Sequence, residues 1–60
     1  MKIKQFDVVE LKDNNKAIIK SKKKRNNYLV ELINEQETRI INDKDIKHII
    51  YYGKIYRSEI

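Results

Sequence analysis

The chain has 60 residues, a net charge of +5 and no cysteine, and 40% of its residues are apolar. A chain of this length forms one domain with a small core, and without cysteine it has neither disulfides nor a thiolate metal site. The apolar runs are too short for a transmembrane helix and the first residues do not resemble a signal peptide, so we expect a cytoplasmic protein.

Alternation of apolar and polar residues predicts five short strands and an all-β fold. Isoleucine, which favours strands, is the commonest apolar residue of the chain. In chain order, the predicted strands cover residues 6–11, 16–20 or 16–23, 28–34, 38–41 and 46–50.

The clearest strand pattern covers residues 28–34. Tyr28, Val30 and Leu32 share one face of the predicted strand, and the residues between them share the other face. Asparagines precede and close the stretch. We therefore interpret this stretch as the central strand of a small barrel.

Four polar connections join the predicted strands. The turn at residues 12–15 is rich in Asn and Asp, which tolerate left-handed backbone angles. Residues 21–27 and residues 35–37 contain no long apolar run, and each is predicted to form a hairpin connection. The last connection, residues 42–45, is predicted to form one helical turn in which Asn42 caps the first backbone amides.

The last ten residues are compatible with two conformations. Tyr52, Tyr56 and Ile60 are spaced as on one face of a helix, although Gly53 weakens a helix by roughly 1 kcal/mol relative to alanine. A sixth strand through residues 54–57 fits nearly as well. The sequence leaves both alternatives open.

The chain resembles the SH3-like barrels, in the broad sense that includes KOW and Tudor-type modules, and is similar to short bacterial proteins of this shape. The resemblance implies a small five-stranded SH3-like barrel with one short helical turn before the last strand and a C-terminal extension. On this reading, residues 1–50 form the barrel and residues 51–60 form the tail. The resemblance depends on four stretches of the chain: residues 7–11, 28–34, 38–41 and 45–50.

The positive charge is concentrated in one short stretch, residues 20–25, which we call the basic loop. It contains five cations in six residues, whereas residues 26–45 have a net charge of −3. A loop this basic can neutralise phosphates, and tyrosines interleaved with cations in the tail can stack on unpaired bases. The candidate nucleic-acid-binding residues are Lys20, Lys22, Lys23, Lys24, Arg25, Tyr52, Lys54, Tyr56 and Arg57.

Each of these features also has a purely structural explanation. Lys, Ile and Asn have AT-rich codons and make up 28 of the 60 residues, so a lysine-rich solvated loop also fits an AT-rich genome. Such charges also discourage pairing at an exposed strand edge. The three tail tyrosines, Tyr51, Tyr52 and Tyr56, would in this alternative cover the open end of the barrel with their rings packed.

The sequence contains no convincing catalytic or metal-binding constellation. His48 has no partner in sequence, Asp43 and Asp45 alone are a weak cation site, and neither Ser21 nor Ser58 has a plausible base. We therefore expect no enzymatic activity, no cofactor, no metal and no small-molecule substrate.

Two functional hypotheses follow. The first is a small binding module that contacts nucleic acid non-specifically through the basic loop. The alternative is a protein-interaction module or a homo-oligomer, which uses an edge strand or an apolar stripe of the tail formed by Ile55, Tyr56 and Ile60. Neither hypothesis includes a membrane partner.

Overall fold

The computed structural model describes residues 2–53, which form one antiparallel sheet of five strands. The predicted all-β class is confirmed, and every strand begins and ends within two residues of its predicted bounds. The conformations predicted for residues 54–60 lie outside the described residues. The strands are β1 (Val8–Leu11), β2 (Lys16–Lys22), β3 (Asn27–Leu32), β4 (Thr38–Asn42) and β5 (Ile46–Tyr51).

The strand at the centre of the sheet is β2, not β3 as the sequence pattern suggested. The order across the sheet is β4-β3-β2-β1-β5. β3 has the cleanest alternation because one of its faces is fully buried, and this property does not depend on the position of a strand within the sheet. The longer β2 pairs with β1 on one side and with β3 on the other.

One face of the sheet encloses the core. Val9, Ile19 and Val30 are fully buried, as period-2 alternation within their strands requires. Complete burial of an apolar side chain of this size stabilises the fold by about 1.5–3 kcal/mol. The remaining core residues are Ile3, Leu11, Ala17, Tyr28, Leu32, Ile41 and Ile46.

Three irregularities in strand register bend the sheet around this core. One lies in β2 at Lys20, and two lie in β5 at Lys47 and Ile50. Each inserts an unpaired residue into the ladder, which increases the local twist and changes the direction of the residues that follow. Among residues 2–53, the strands β4 and β5 each pair on one side only and form the two edges of the sheet.

The predicted helical turn before the last strand is present as a 3₁₀ turn at Asp43–Asp45. The Asn42 side chain accepts a hydrogen bond from the backbone N–H of Lys44 at 3.0 Å. In return, the Asp45 carboxylate accepts one from the backbone N–H of Asn42 at 2.9 Å. This reciprocal pair is a capping box, so the capping role predicted for Asn42 is confirmed.

A buried carboxylate joins the two ends of the described chain. Asp7 is 1% exposed. One of its oxygens accepts a hydrogen bond from the backbone N–H of Lys4 at 3.0 Å, and the other accepts one from Gly53 at 2.8 Å. Asp7 therefore attaches the segment before β1 to the residues that follow β5.

Candidate nucleic-acid interface

The basic loop forms the end of the β2–β3 hairpin, which confirms the hairpin predicted there. Its tight turn covers Lys24–Asn26, and the backbone N–H of Asn27 donates to the Lys24 carbonyl. Arg25 and Asn26 have φ angles of 59° and 61°. Left-handed angles at both central residues are the signature of a type I′ turn, which matches the twist of the flanking strands.

Asn42, the capping residue at the end of β4, also fixes the position of the basic loop. Its side-chain amide donates to the Arg25 carbonyl at 3.2 Å and to the side-chain oxygen of Asn27 at 2.9 Å. A left-handed conformation costs roughly 1–2 kcal/mol for a residue with a side chain. The contacts from Asn42 help to offset this cost at Arg25, so the loop is held in one place on the fold.

Four cations of the basic loop, which we call the loop cations, are exposed to solvent and have no counter-charge within the described part of the chain. Lys22, Lys23, Lys24 and Arg25 are all exposed, and none forms an ion pair with another described residue. The fifth cation differs, because the Lys20 ammonium lies 3.6 Å from the Glu31 carboxylate.

The structure brings a second basic segment to the loop, which the sequence reasoning missed. The side chain of Gln5 donates to the Lys20 carbonyl at 3.0 Å, and the backbone N–H of Phe6 donates to the Ile19 carbonyl at 2.7 Å. This segment therefore runs beside β2 and brings the exposed Lys4 to the same region. The contact joins residues 15 positions apart, and no local sequence signal indicates it.

The tyrosines at the end of β5 do not cover the core, which contradicts the structural alternative for two of them. Tyr51 and Tyr52 are 65% and 51% exposed. Ile49 pairs with Val9 on the core face, but the bulge at the next residue moves Tyr51 to the outer face, where it pairs with Val8. The other predicted tail residues, Lys54, Tyr56 and Arg57, lie outside the described residues.

Tyr28 is the aromatic residue nearest to the basic loop in β3, and it is unavailable to a ligand. It pairs with Lys22 but is only 3% exposed. Burial raises the pKa of the Tyr28 phenol above its ordinary value, and the Asp43 carboxylate adds to this effect. The ring thus belongs to the core, and the hydroxyl stays neutral at physiological pH.

A groove of about 310 Å³ lies elsewhere on the molecule, between β4 and the turn that follows β1. The Arg39 guanidinium and the Asp13 carboxylate form an ion pair there at 3.2 Å. The hydrogen bond from the backbone N–H of Asn15 lowers the pKa of Asp13, and Arg39 contributes to the same shift. The lining residues are Leu11, Lys12, Asp13, Arg39, Ile40, Ile41 and Asp45.

Two of the polar residues considered for catalysis or metal binding, His48 and Asp45, have structural partners. His48 is exposed and lies 3.3 Å from the Glu10 carboxylate, which also contacts Lys47 at 3.8 Å. Asp43 and Asp45 belong to the 3₁₀ turn. Residues 2–53 contain no group of three or more metal-ligating side chains.

Comparisons with protein-family models, with curated proteins and with solved structures found no match to this chain. Membership of the SH3-like barrels therefore stays a prediction, while the five-stranded antiparallel sheet is established. No helix in the described part of the chain is long and apolar enough to span a membrane. The cytoplasmic location also stays a prediction.

Proposed function

We propose that the protein is a non-enzymatic SH3-like module that binds nucleic acid without sequence preference through the loop cations. The order β4-β3-β2-β1-β5 and the 3₁₀ turn before the last strand support the SH3-like assignment. The observation that carries the functional proposal is the group of four exposed cations on one hairpin tip, which have no ion-pair partner among residues 2–53.

The clustering of unpaired cations, rather than the number of lysines, argues that the loop cations are more than a consequence of codon composition. Codon bias adds lysine but does not decide where acidic partners lie. Among the described residues, Glu10, Asp13 and Glu31 are all paired, and their partners lie outside the loop cations. Five other lysines also form no ion pair with a described residue, but they are dispersed: Lys2, Lys4, Lys12, Lys16 and Lys44. Within residues 2–53, four consecutive unpaired cations occur at the hairpin tip, and there phosphates can displace their counterions and bind.

We expect the triple variant Lys22→Ser, Lys23→Ser, Lys24→Ser to bind nucleic acid with a markedly weaker salt dependence. The slope of log K against log salt is negative, and each lost phosphate contact reduces its magnitude by about 0.9 for duplex DNA, so the magnitude should fall by about 2.7. Fluorescence anisotropy of a labelled duplex over a series of salt concentrations measures this slope. Arg25 is left unchanged, because a substitution in its left-handed conformation would disturb the turn.

The matched control is the triple variant Lys12→Ser, Lys16→Ser, Lys47→Ser, which removes the same charge from exposed positions outside the basic loop. It should retain most of the affinity and most of the slope. Equal losses in the two variants would show that net charge alone attracts the polyanion, and the loop would have no special role. No binding by the unaltered protein at low salt would contradict the proposal as a whole.

A second candidate function is association through the free edge of β4. The groove beside β4 is the observation that favours it, together with Ile40, which is 57% exposed. An edge strand presents unpaired backbone groups to which another chain can add a strand.

If this second function operates by self-association, sedimentation velocity should detect oligomers whose fraction increases with protein concentration. We expect Ile40→Lys to abolish them, because a charge on an edge strand opposes strand addition. Ile33→Lys is the control, since Ile33 is 47% exposed but follows β3 in the turn. A single monomeric species over the whole concentration range would exclude self-association.

A further inference from the structure

Two aromatic side chains are exposed at the end of β5. Tyr51 is the last residue of this strand and Tyr52 follows it, and each has more than half of its surface in solvent. In so small a domain, an aromatic ring is normally needed for the core. The bulge at Ile50 instead directs Tyr51 away from the core.

The strand register defines the distance between these rings and the loop. Tyr51 pairs with Val8, and Val8 pairs with Ile18, so two strand spacings of about 4.8 Å separate Tyr51 from β2. From Ile18 to Lys22, the strand extends about 13 Å. Along a flat sheet the first loop cation, Lys22, would lie about 16 Å from Tyr51, which corresponds to roughly five nucleotides at the stacked rise of about 3.4 Å. The two side chains leave opposite faces of the sheet, because Lys22 pairs with the core residue Tyr28 and Tyr51 pairs with Val8 on the outer face. A ligand that contacts both must therefore pass around this end of the sheet, which a flexible single strand can do.

The segment before β1 contacts both the basic loop and the residue that follows the two tyrosines. Gln5 contacts β2 at Lys20, and two residues later Asp7 accepts the hydrogen bond from Gly53, which directly follows Tyr52. Lys4 is exposed in the same segment. This segment therefore places one further exposed cation next to Asp7 and Gln5, the residues that contact Gly53 and the basic loop.

We propose that the ligand of this surface is a single-stranded nucleic acid, whose backbone follows the cations from the basic loop and whose bases stack on Tyr51 and Tyr52. This inference rests on the proposed function of the loop. A duplex satisfies the loop cations equally well, but its base faces are already stacked on one another. Exposed rings gain a partner only from unpaired bases, and such stacking is tolerant of sequence.

The test compares oligothymidylates of about three and about eight nucleotides with a short duplex, by fluorescence anisotropy at low and moderate salt. The longer single strand reaches both the loop and the tyrosines, so we expect it to bind the unaltered protein more tightly than the shorter one. The double variant Tyr51→Leu, Tyr52→Leu should lose roughly ten-fold in affinity for each ring toward the longer strand. Its affinity for the duplex should not change.

The triple variant of the loop lysines separates this inference from the proposed function. If the tyrosine variant binds every oligonucleotide like the unaltered protein, while the triple variant weakens all of them, the inference is wrong and the loop function stands. If no oligonucleotide binds but phosphatidylserine vesicles do, both proposals are wrong. Both tyrosines are exposed, so a dispersed amide spectrum of the double variant should show that the fold is intact.

Discussion

Replacing Asp7 with asparagine is expected to lower the free energy of unfolding by about 2 kcal/mol, although the two side chains have nearly the same shape. A domain of this size has a total stability of about 3–9 kcal/mol. The melting temperature should therefore fall by about 10 °C. Thermal unfolding followed by circular dichroism measures the change.

The reason lies in the two donors that face the Asp7 carboxylate. Both are backbone N–H groups, one from Lys4 and one from Gly53, and the second contact is buried. An amide has one acceptor oxygen, so its NH₂ group would face one of these donors. Whichever donor faces the NH₂ group loses its partner, and the loss of a buried or part-buried hydrogen bond to this carboxylate typically costs about 1–3 kcal/mol.

Asp13→Asn is the matched control for this prediction. The Asp13 carboxylate also accepts a backbone hydrogen bond, from Asn15 at 3.1 Å, and it pairs with Arg39. It is exposed, however, and water can replace the lost contacts, so its substitution should leave the melting temperature nearly unchanged. Equal effects of the two substitutions would mean that the burial of Asp7 is unimportant.

The features that the sequence predicted correctly are those encoded within a few residues. Strand positions follow from alternation, because a strand with one buried face needs an apolar residue at every second position. The cap at Asn42 depends on residues within three positions of it. The charge cluster of the basic loop could be predicted too, because it lies within six consecutive residues.

Features that depend on pairing between distant residues were not predictable. The bulges at Lys20 and Ile50 exist only relative to a partner strand, and the second of them decides that Tyr51 faces solvent. The contact between Asp7 and Gly53 joins residues 46 positions apart. A single sequence contains no signal for such a contact, since an isolated Asp before a strand is most often a surface residue.

The candidate interface also combines features that local sequence predicts with features that depend on distant residues. Composition located five cations in the basic loop, but only the structure shows that Lys20 has an acidic partner and that the loop cations have none within residues 2–53. The hydrogen bonds from Asn42 to the loop likewise require β4 to lie beside β3. Availability of a charge depends on its neighbours in space, which local sequence does not specify.

Gly53→Ala is expected to destabilise the protein by about 2–4 kcal/mol, whereas the same change at an unconstrained glycine stabilises a protein by about 0.4–1 kcal/mol. A methyl group on Gly53 would lie 2.7 Å from both the carbonyl carbon and the carbonyl oxygen of Phe6. These are backbone atoms, and Phe6 is itself hydrogen-bonded to the Ile19 carbonyl. The new methyl group would therefore push Gly53 away from Asp7 and break the buried hydrogen bond.

Gly53 is the only glycine of the chain, so selective glycine labelling gives a single amide resonance that reports directly on its contact with Asp7. In the unaltered protein this resonance should exchange slowly with solvent, and in Asp7→Asn it should exchange quickly. Urea unfolding of Gly53→Ala, of Asp7→Asn and of the double variant completes the test. Because both substitutions break the same hydrogen bond, the loss in the double variant should be clearly smaller than the sum of the single losses. Strict additivity would mean that the two residues stabilise the fold independently, and the link between the ends of the described chain would have to be abandoned.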